Sequence, residues 1–170
     1  MAWLYRLYFV SLNEGRIAVQ IIQLSKAMQK IMTGEEETMS KALTAGAVGG
    51  VALAVYEWIM HGVIMGNTYA NIASFRQDGN PMWFPIIAIL MGLAAGVLFG
   101  KTRTMWAHGP KGGATFGMWL GLIGGIGAFY QPLTISGFPY YLSWCWFGIT
   151  LLGWVVYGAV AGAMYKSAGE

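Results

Sequence analysis

The sequence predicts an all-α integral membrane protein: a four-helix transmembrane bundle, both termini cytoplasmic, with an N-terminal amphipathic extension. Three observations predict it. Hydrophobic residues make up 56% of the 170-residue chain, charged residues only 10%, and mean hydropathy is +0.54. Soluble domains carry about 25% charged residues to hydrate their surface, so lipid must be the solvent for most of this exterior. Four segments approach the about 20 apolar residues that a helix needs to cross a hydrocarbon core. Lys and Arg, finally, fall mostly on one side of those segments. None of the four shows the period-2 alternation of a transmembrane β-barrel.

The first expected span runs over residues 42–65 and contains two ionisable residues, Glu57 and His61. The second, 83–100, opens beside Pro81 and Pro85, where a helix's first turn tolerates proline. The third covers 113–130 and ends at Gln131-Pro132; the fourth covers 140–165. The connection 67–82 is polar, with Asp78-Gly79-Asn80-Pro81 as a breaker. The connection 101–112 is basic and 131–139 is uncharged. Loops this short make consecutive helices antiparallel neighbours.

Orientation follows from the basic residues. Lys41, Lys101, Arg103, Lys111 and Lys166 lie on one side and Arg76 alone on the other, which places both termini inside and the chain in the inner (plasma) membrane. Trp83, Tyr130, Tyr140 and Tyr141 fall at the expected outer interface, Trp106 and Tyr165 at the inner one, as an aromatic belt requires.

Residues 1–38 read as a separate extension and 39–170 as the transmembrane domain. Ile17, Ile21, Leu24, Met28 and Ile31 recur at helical spacing, with Gln20, Gln23, Lys26 and Lys30 elsewhere on the wheel, the pattern of a helix lying in the membrane interface. The start lacks the basic leader and small-residue cleavage site of a signal peptide. An alternative reading starts the native chain at Met39, because Gly34-Glu35-Glu36-Glu37 can be encoded by a purine-rich run of the ribosome-binding kind just upstream.

Glycines four apart form the most regular pattern: Gly46 and Gly50; Gly92, Gly96 and Gly100; Gly113, Gly117, Gly121 and Gly125; Gly158 and Gly162. Residues four apart share a helix face, and small residues there let membrane helices approach closely. The stripes read as a glycine zipper, packing the bundle internally or one copy against another; a sliding interface in a transporter is the sharper alternative.

Tyr56-Glu57-Trp58-Ile59-Met60-His61-Gly62 is the one polar constellation inside a span. Glu57 and His61 lie one helical turn apart. At about 1.5 Å per residue from Ala42, they fall roughly 22 and 28 Å into the span, in its outer half. Ionisable residues at such depth cost several kcal/mol and face the bundle interior. A carboxyl and an imidazole so placed can share a proton or hold a cation; the plainer reading is a carboxyl bonded to a neighbouring helix and a histidine anchored at the interface.

Other chemistry finds little support. One cysteine, Cys145, excludes an internal disulfide and a multi-thiolate metal site and reads as a small packing residue. Glu57 and His61 supply two metal ligands where a closed zinc site needs four, and His108 lies on the opposite side of the membrane, which excludes a bis-histidine haem. No cofactor or metal is expected, and no catalytic set is apparent. The charge of +3 is too scattered for nucleic acid. Asp78, the sole aspartate, reads as a local Asx-type turn former. In the last span Trp146, Thr150, Trp154 and Tyr157 share a face, a packed or lipid-facing stripe by default and an aromatic wall for a lipophilic cation or pigment as the alternative.

The constellation resembles a group of small bacterial four-helix membrane proteins whose first helix carries Tyr-Glu-Trp-x-x-His-Gly. In that group a Tyr and an Arg follow, here Tyr69 and Arg76, then a Gly-rich third helix and a last helix ending near Ala163-Met164-Tyr165-Lys166. The likeness covers about 39–166 and implies the architecture, with no activity to transfer; it draws Tyr56, Glu57, Trp58, His61 and Tyr69 into one candidate site. A weaker likeness is to small multidrug-resistance transporters, which use a first-helix Glu, here Glu57, to exchange protons for lipophilic cations. This chain departs from them in its greater length, in Trp58 and His61, and in its one-sided basic residues. The expected function is therefore a non-enzymatic accessory or homo-oligomeric subunit in the lipid bilayer, with a proton-coupled transporter using Glu57 as the competing class.

Overall fold

The structure is a computed structural model that describes residues 2–75 and 78–165, with side chains described at 19, 22–29, 33 and 34 and from residue 36 onwards. Every regular element among them is helical: α1 (Ala2–Glu57), a π-helical segment (Trp58–Ile64), α2 (Gly66–Ala70), α3 (Trp83–Lys101), α4 (Gly109–Ile126), α5 (Gln131–Thr134) and α6 (Tyr140–Met164). Four stretches are long and apolar enough to cross a membrane: Glu36–Ile64, Trp83–Lys101, Gly109–Thr134 and Tyr140–Met164.

The chain divides into two compact units, Met1–Thr38 and Met39–Glu170. In the first, Leu24 and Met28 of the expected apolar stripe are exposed, at 64% and 62%; Ile17, Ile21 and Ile31, like Gln20 and Lys30 of the polar side, lie outside the described side chains. Arg76 and Lys166 are also outside the described residues.

Helix boundaries follow local chemistry. Helix α1 includes the polar residues 36–41, because an established helix propagates through such residues at little cost. Asn80 Oδ1 accepts a hydrogen bond from Met82 N at 3.0 Å before α3, the kind of Asx-type bond expected at Asp78. Thr102 Oγ1 donates to Leu98 O at 2.8 Å as α3 ends. Gly109, at φ 71°, and Gly137, at φ 75°, turn the chain into α4 and ahead of α6, conformations open to glycine without steric cost. Gln131-Pro132, expected to end the third span, instead opens the short helix α5 after a 3-10 turn at Gly127–Tyr130. Proline sits in that helix's first turn, where it has no amide hydrogen bond to lose.

Two glycine-lined contacts set the packing. A Cβ added at Gly46 would lie 2.7 Å from Gly92 O, one at Gly50 3.0 Å from Ile89 Cα, and one at Gly100 2.7 Å from Ala42 Cβ, so α1 and α3 touch backbone to backbone. Gly96 faces Ala42 O and Gly46 in the same contact. In α4 and α6, a Cβ on Gly113 would run into the Gly158 carbonyl, one on Gly117 into the Trp154 carbonyl, and one on Gly162 would lie 2.6 Å from Gly109 O. Gly121 abuts Leu151 Cα and Gly125 the Phe147 ring. Dispersion gathered at such close approach is the main attraction between helices in lipid.

Tyr157 joins the two pairs. A Cβ on Gly49 would lie 2.7 Å from its ring, and its hydroxyl, fully buried, donates to Gly92 O at 2.7 Å. Around it lie the buried Ala45, Leu53, Ala88, Ala95, Trp154 and Ala161. At the α3–α4 end, Phe99, Phe116 and Tyr165 close the core. Arg103 lies over the Phe99 and Tyr165 rings at 5.6 and 5.8 Å and donates to Trp106 O and Ala107 O.

Candidate functional site

Polar side chains of the spans meet at the opposite end, where α1 gives way to the π-helical segment. In the wide π turn Met65 N donates to Met60 O at 2.9 Å, five residues back rather than four. Residues four apart then stand almost directly above one another. Glu57 and His61 meet in that way: His61 Nε2 lies 3.0 Å from Glu57 Oε2, both side chains 29% exposed. Such π turns are rare and recur at functional sites.

The pair does not stand alone. His61 Nδ1 is 2.5 Å from the Tyr69 hydroxyl, carried by α2 just beyond the span. The indole of Trp146, in α6, donates to the same hydroxyl oxygen at 2.8 Å. Four side chains from four elements thus form one chain of polar contacts, Glu57–His61–Tyr69–Trp146. Rings enclose it: His61 stacks on Tyr69 at 5.8 Å between centroids, Phe75 stacks on Trp146 at 5.9 Å, and Phe138 meets Trp146 edge-on at 5.3 Å. Burial, eased by the Trp146 hydrogen bond and reinforced by Cys145 and Glu57, pushes the Tyr69 phenol up to about 12, so it remains a hydroxyl at physiological pH.

Of the five residues expected here, the structure brings Glu57, His61 and Tyr69 together. Trp58 points away, 67% exposed, its indole lying beside Gly62. Tyr56 packs instead on Gly153 of α6, 3.0 Å from where a Cβ would stand, and its buried hydroxyl has no hydrogen-bond partner. Trp146 is the member that sequence reasoning grouped elsewhere, with the stripe Thr150, Trp154 and Tyr157. Trp154 and Tyr157 are buried, so that stripe packs the core and its first member, Trp146, completes the polar chain.

The second histidine, His108, sits at the α3–α4 end, its Nδ1 3.1 Å from Arg103 Nη2. Arginine can only donate, so His108 Nδ1 accepts. Among the described residues no three His, Cys, Asp or Glu side chains gather as a metal site would require. Cys145 is half-buried and free. Compared with known protein families, curated proteins and solved structures, the chain matches none.

What the arrangement can do is constrained by its atoms. An indole N–H only donates and a carboxylate only accepts. Between those two fixed ends, His61 and Tyr69 can each donate and accept, which is what a group that takes up or passes a proton requires.

Proposed function

We propose that the chain is a small, non-enzymatic, multi-pass subunit of the bacterial inner membrane that binds and releases a proton at the Glu57–His61 pair. The observation that carries this reading is the 3.0 Å contact between the two side chains close to the end of the first span, continued to Tyr69. A carboxyl group kept in lipid only to brace a helix needs no titrating partner; this one has a histidine, and the histidine has a phenol.

Both termini and the basic 101–112 loop are placed on the cytoplasmic side, supported by Lys41, Lys101, Arg103 and Lys111. The packing contacts agree with antiparallel neighbours, since Ala42, Gly100 and Tyr165 lie close together at one end. The proton site then faces the outer half of the membrane, and residues 1–38 are read as an amphipathic extension. The likeness to small bacterial four-helix proteins with the Tyr-Glu-Trp-x-x-His-Gly helix belongs to this reading. Glycine faces are engaged within the chain, zipper-fashion, so homo-oligomer or partner contacts use the outward apolar faces of the spans.

A proton-coupled transporter with Glu57 as titrating group is the second reading, favoured by the same Glu57–His61 contact lying within a span. Against it, backbone-to-backbone glycine contacts line the helix pairs away from the site. Chain reconstituted in vesicles separates the two. Proton binding on an acid pulse without proton flux, together with co-purification of a larger assembly in mild detergent, supports the subunit. Flux of protons against a lipophilic cation that Glu57→Gln abolishes would replace it with the transporter. Proton binding unchanged in the double variant Glu57→Gln/His61→Gln would sink both.

A further inference from the structure

We propose that proton occupancy of the Glu57–His61 pair is reported by Tyr69, whose hydroxyl turns from donor to acceptor at His61 Nδ1 when a proton binds. This rests on the proton-binding reading above and assigns that site its readout.

The inference follows from counting hydrogens along the chain. Trp146 Nε1 carries a hydrogen and can only donate, so the Tyr69 oxygen accepts from it, at 2.8 Å, in every state. Without the extra proton, the Glu57 carboxylate can only accept. His61 then carries its hydrogen on Nε2, toward Glu57 at 3.0 Å, and its Nδ1 is bare. The Tyr69 hydroxyl is therefore the donor across the 2.5 Å contact. All three bonds point the same way, from Trp146 toward Glu57.

Adding one proton reverses the middle bond. If the proton rests on the ring, both His61 nitrogens carry hydrogen. If it rests on Glu57, the carboxylic acid donates to Nε2 and the ring hydrogen moves to Nδ1. Either way Nδ1 becomes a donor with no lone pair left, so the Tyr69 O–H must turn away while its oxygen accepts from both His61 and Trp146. One proton enters, no heavy atom needs to move, and the hydroxyl hydrogen is redirected.

Among the described residues, the titratable groups that act on or feel the pair are Tyr56 on α1, Tyr69 on α2 and Cys145 beside Trp146 on α6. Tyr56 and Tyr69 each feel the Glu57 charge, and Cys145 acts on Tyr69. Tyr69 is suited to the readout because it lies outside the span, in the connection to α3, while its oxygen is the acceptor for Trp146 of α6. Proton occupancy inside the first span thereby reaches two other elements through a single atom.

Infrared difference spectra of the full chain in lipid, with ring-labelled tyrosine, test this between about pH 9 and about pH 5, a window that brackets ordinary imidazole and approaches carboxyl values. The expected result is a phenol C–O band shift that titrates together with the carboxyl or imidazole bands. That shift is lost in Tyr69→Phe, and lost in the double variant Glu57→Gln/His61→Gln, which keeps the phenol. A carboxyl or imidazole titration with no phenol shift, or a phenol shift that persists in that double variant, would overturn the inference while leaving proton binding intact. Absence of a carboxyl or imidazole titration that the double variant removes would overturn the proton-binding reading itself.

Discussion

The hydroxyl of Tyr69 receives the Trp146 indole at 2.8 Å and faces His61 Nδ1 at 2.5 Å, so its energetics are open to single substitutions. Trp146→Phe removes one donor while an aromatic ring remains to pack on Phe75 and Phe138. Its expected cost is about 1–2 kcal/mol, read from unfolding in mixed micelles; an unchanged stability would show that the indole bond contributes nothing. Alkaline pH tests the phenol. Its folded value of about 12 lies above the ordinary 10.0, so the protonated form is favoured by folding. The stability that Tyr69 contributes is present below pH 10.0 and is lost as pH rises toward about 12. The advantage of the native chain over Tyr69→Phe should therefore shrink across that window, and a constant difference would contradict the burial of the hydroxyl. At this scale the sequence was half legible. Glu57 and His61 announce themselves by spacing, but Trp146 is 77 residues from Tyr69 in a helix crowded with aromatics, where no local pattern marks the one that bonds.

At the level of elements, the glycines divide into those that touch and those that do not. Gly113 and Gly158 face each other across α4 and α6 so closely that either Cβ would enter the other's carbonyl. Gly158→Ala should cost about 1–3 kcal/mol through overpacking and weaken the α4–α6 contact. Gly148→Ala, in the same helix but with nothing within 4 Å, should be neutral or slightly stabilising, since alanine is favoured over glycine in helices by up to about 1 kcal/mol. Equal effects at both positions, measured by the same unfolding assay, would show that close approach does not govern this pair. Spacing in the sequence picks out the touching faces, because a period of four is a property of the helix itself. Gly49 and Gly153 escape that pattern: they accommodate the Tyr157 and Tyr56 rings across α1 and α6, and their partners are set by the fold. The π-helical turn is equally invisible to hydropathy, which registers how apolar Trp58–Ile64 is and not whether its hydrogen bonds reach back four residues or five.

Across the whole molecule, hydropathy captures the four spans because lipid demands about 20 apolar residues from any helix that crosses it. It does not register helix that continues through polar residues, as at 36–41, or that resumes after a turn, as at Gln131–Thr134. Topology is set by charge, so reporters fused at the C-terminus and in the 101–112 loop should both report the cytoplasm, and one in the 131–139 connection the opposite side. A C-terminal reporter found outside would invert the orientation and with it the side from which the proton comes. The most direct test of the central claim is a count of protons bound by the purified chain in lipid as pH falls from about 9 to about 5, across the ordinary imidazole range and toward that of carboxyls. The double variant Glu57→Gln/His61→Gln, folded and equally abundant, should bind one proton fewer than the native chain; an identical count would contradict a proton site at Glu57 and His61.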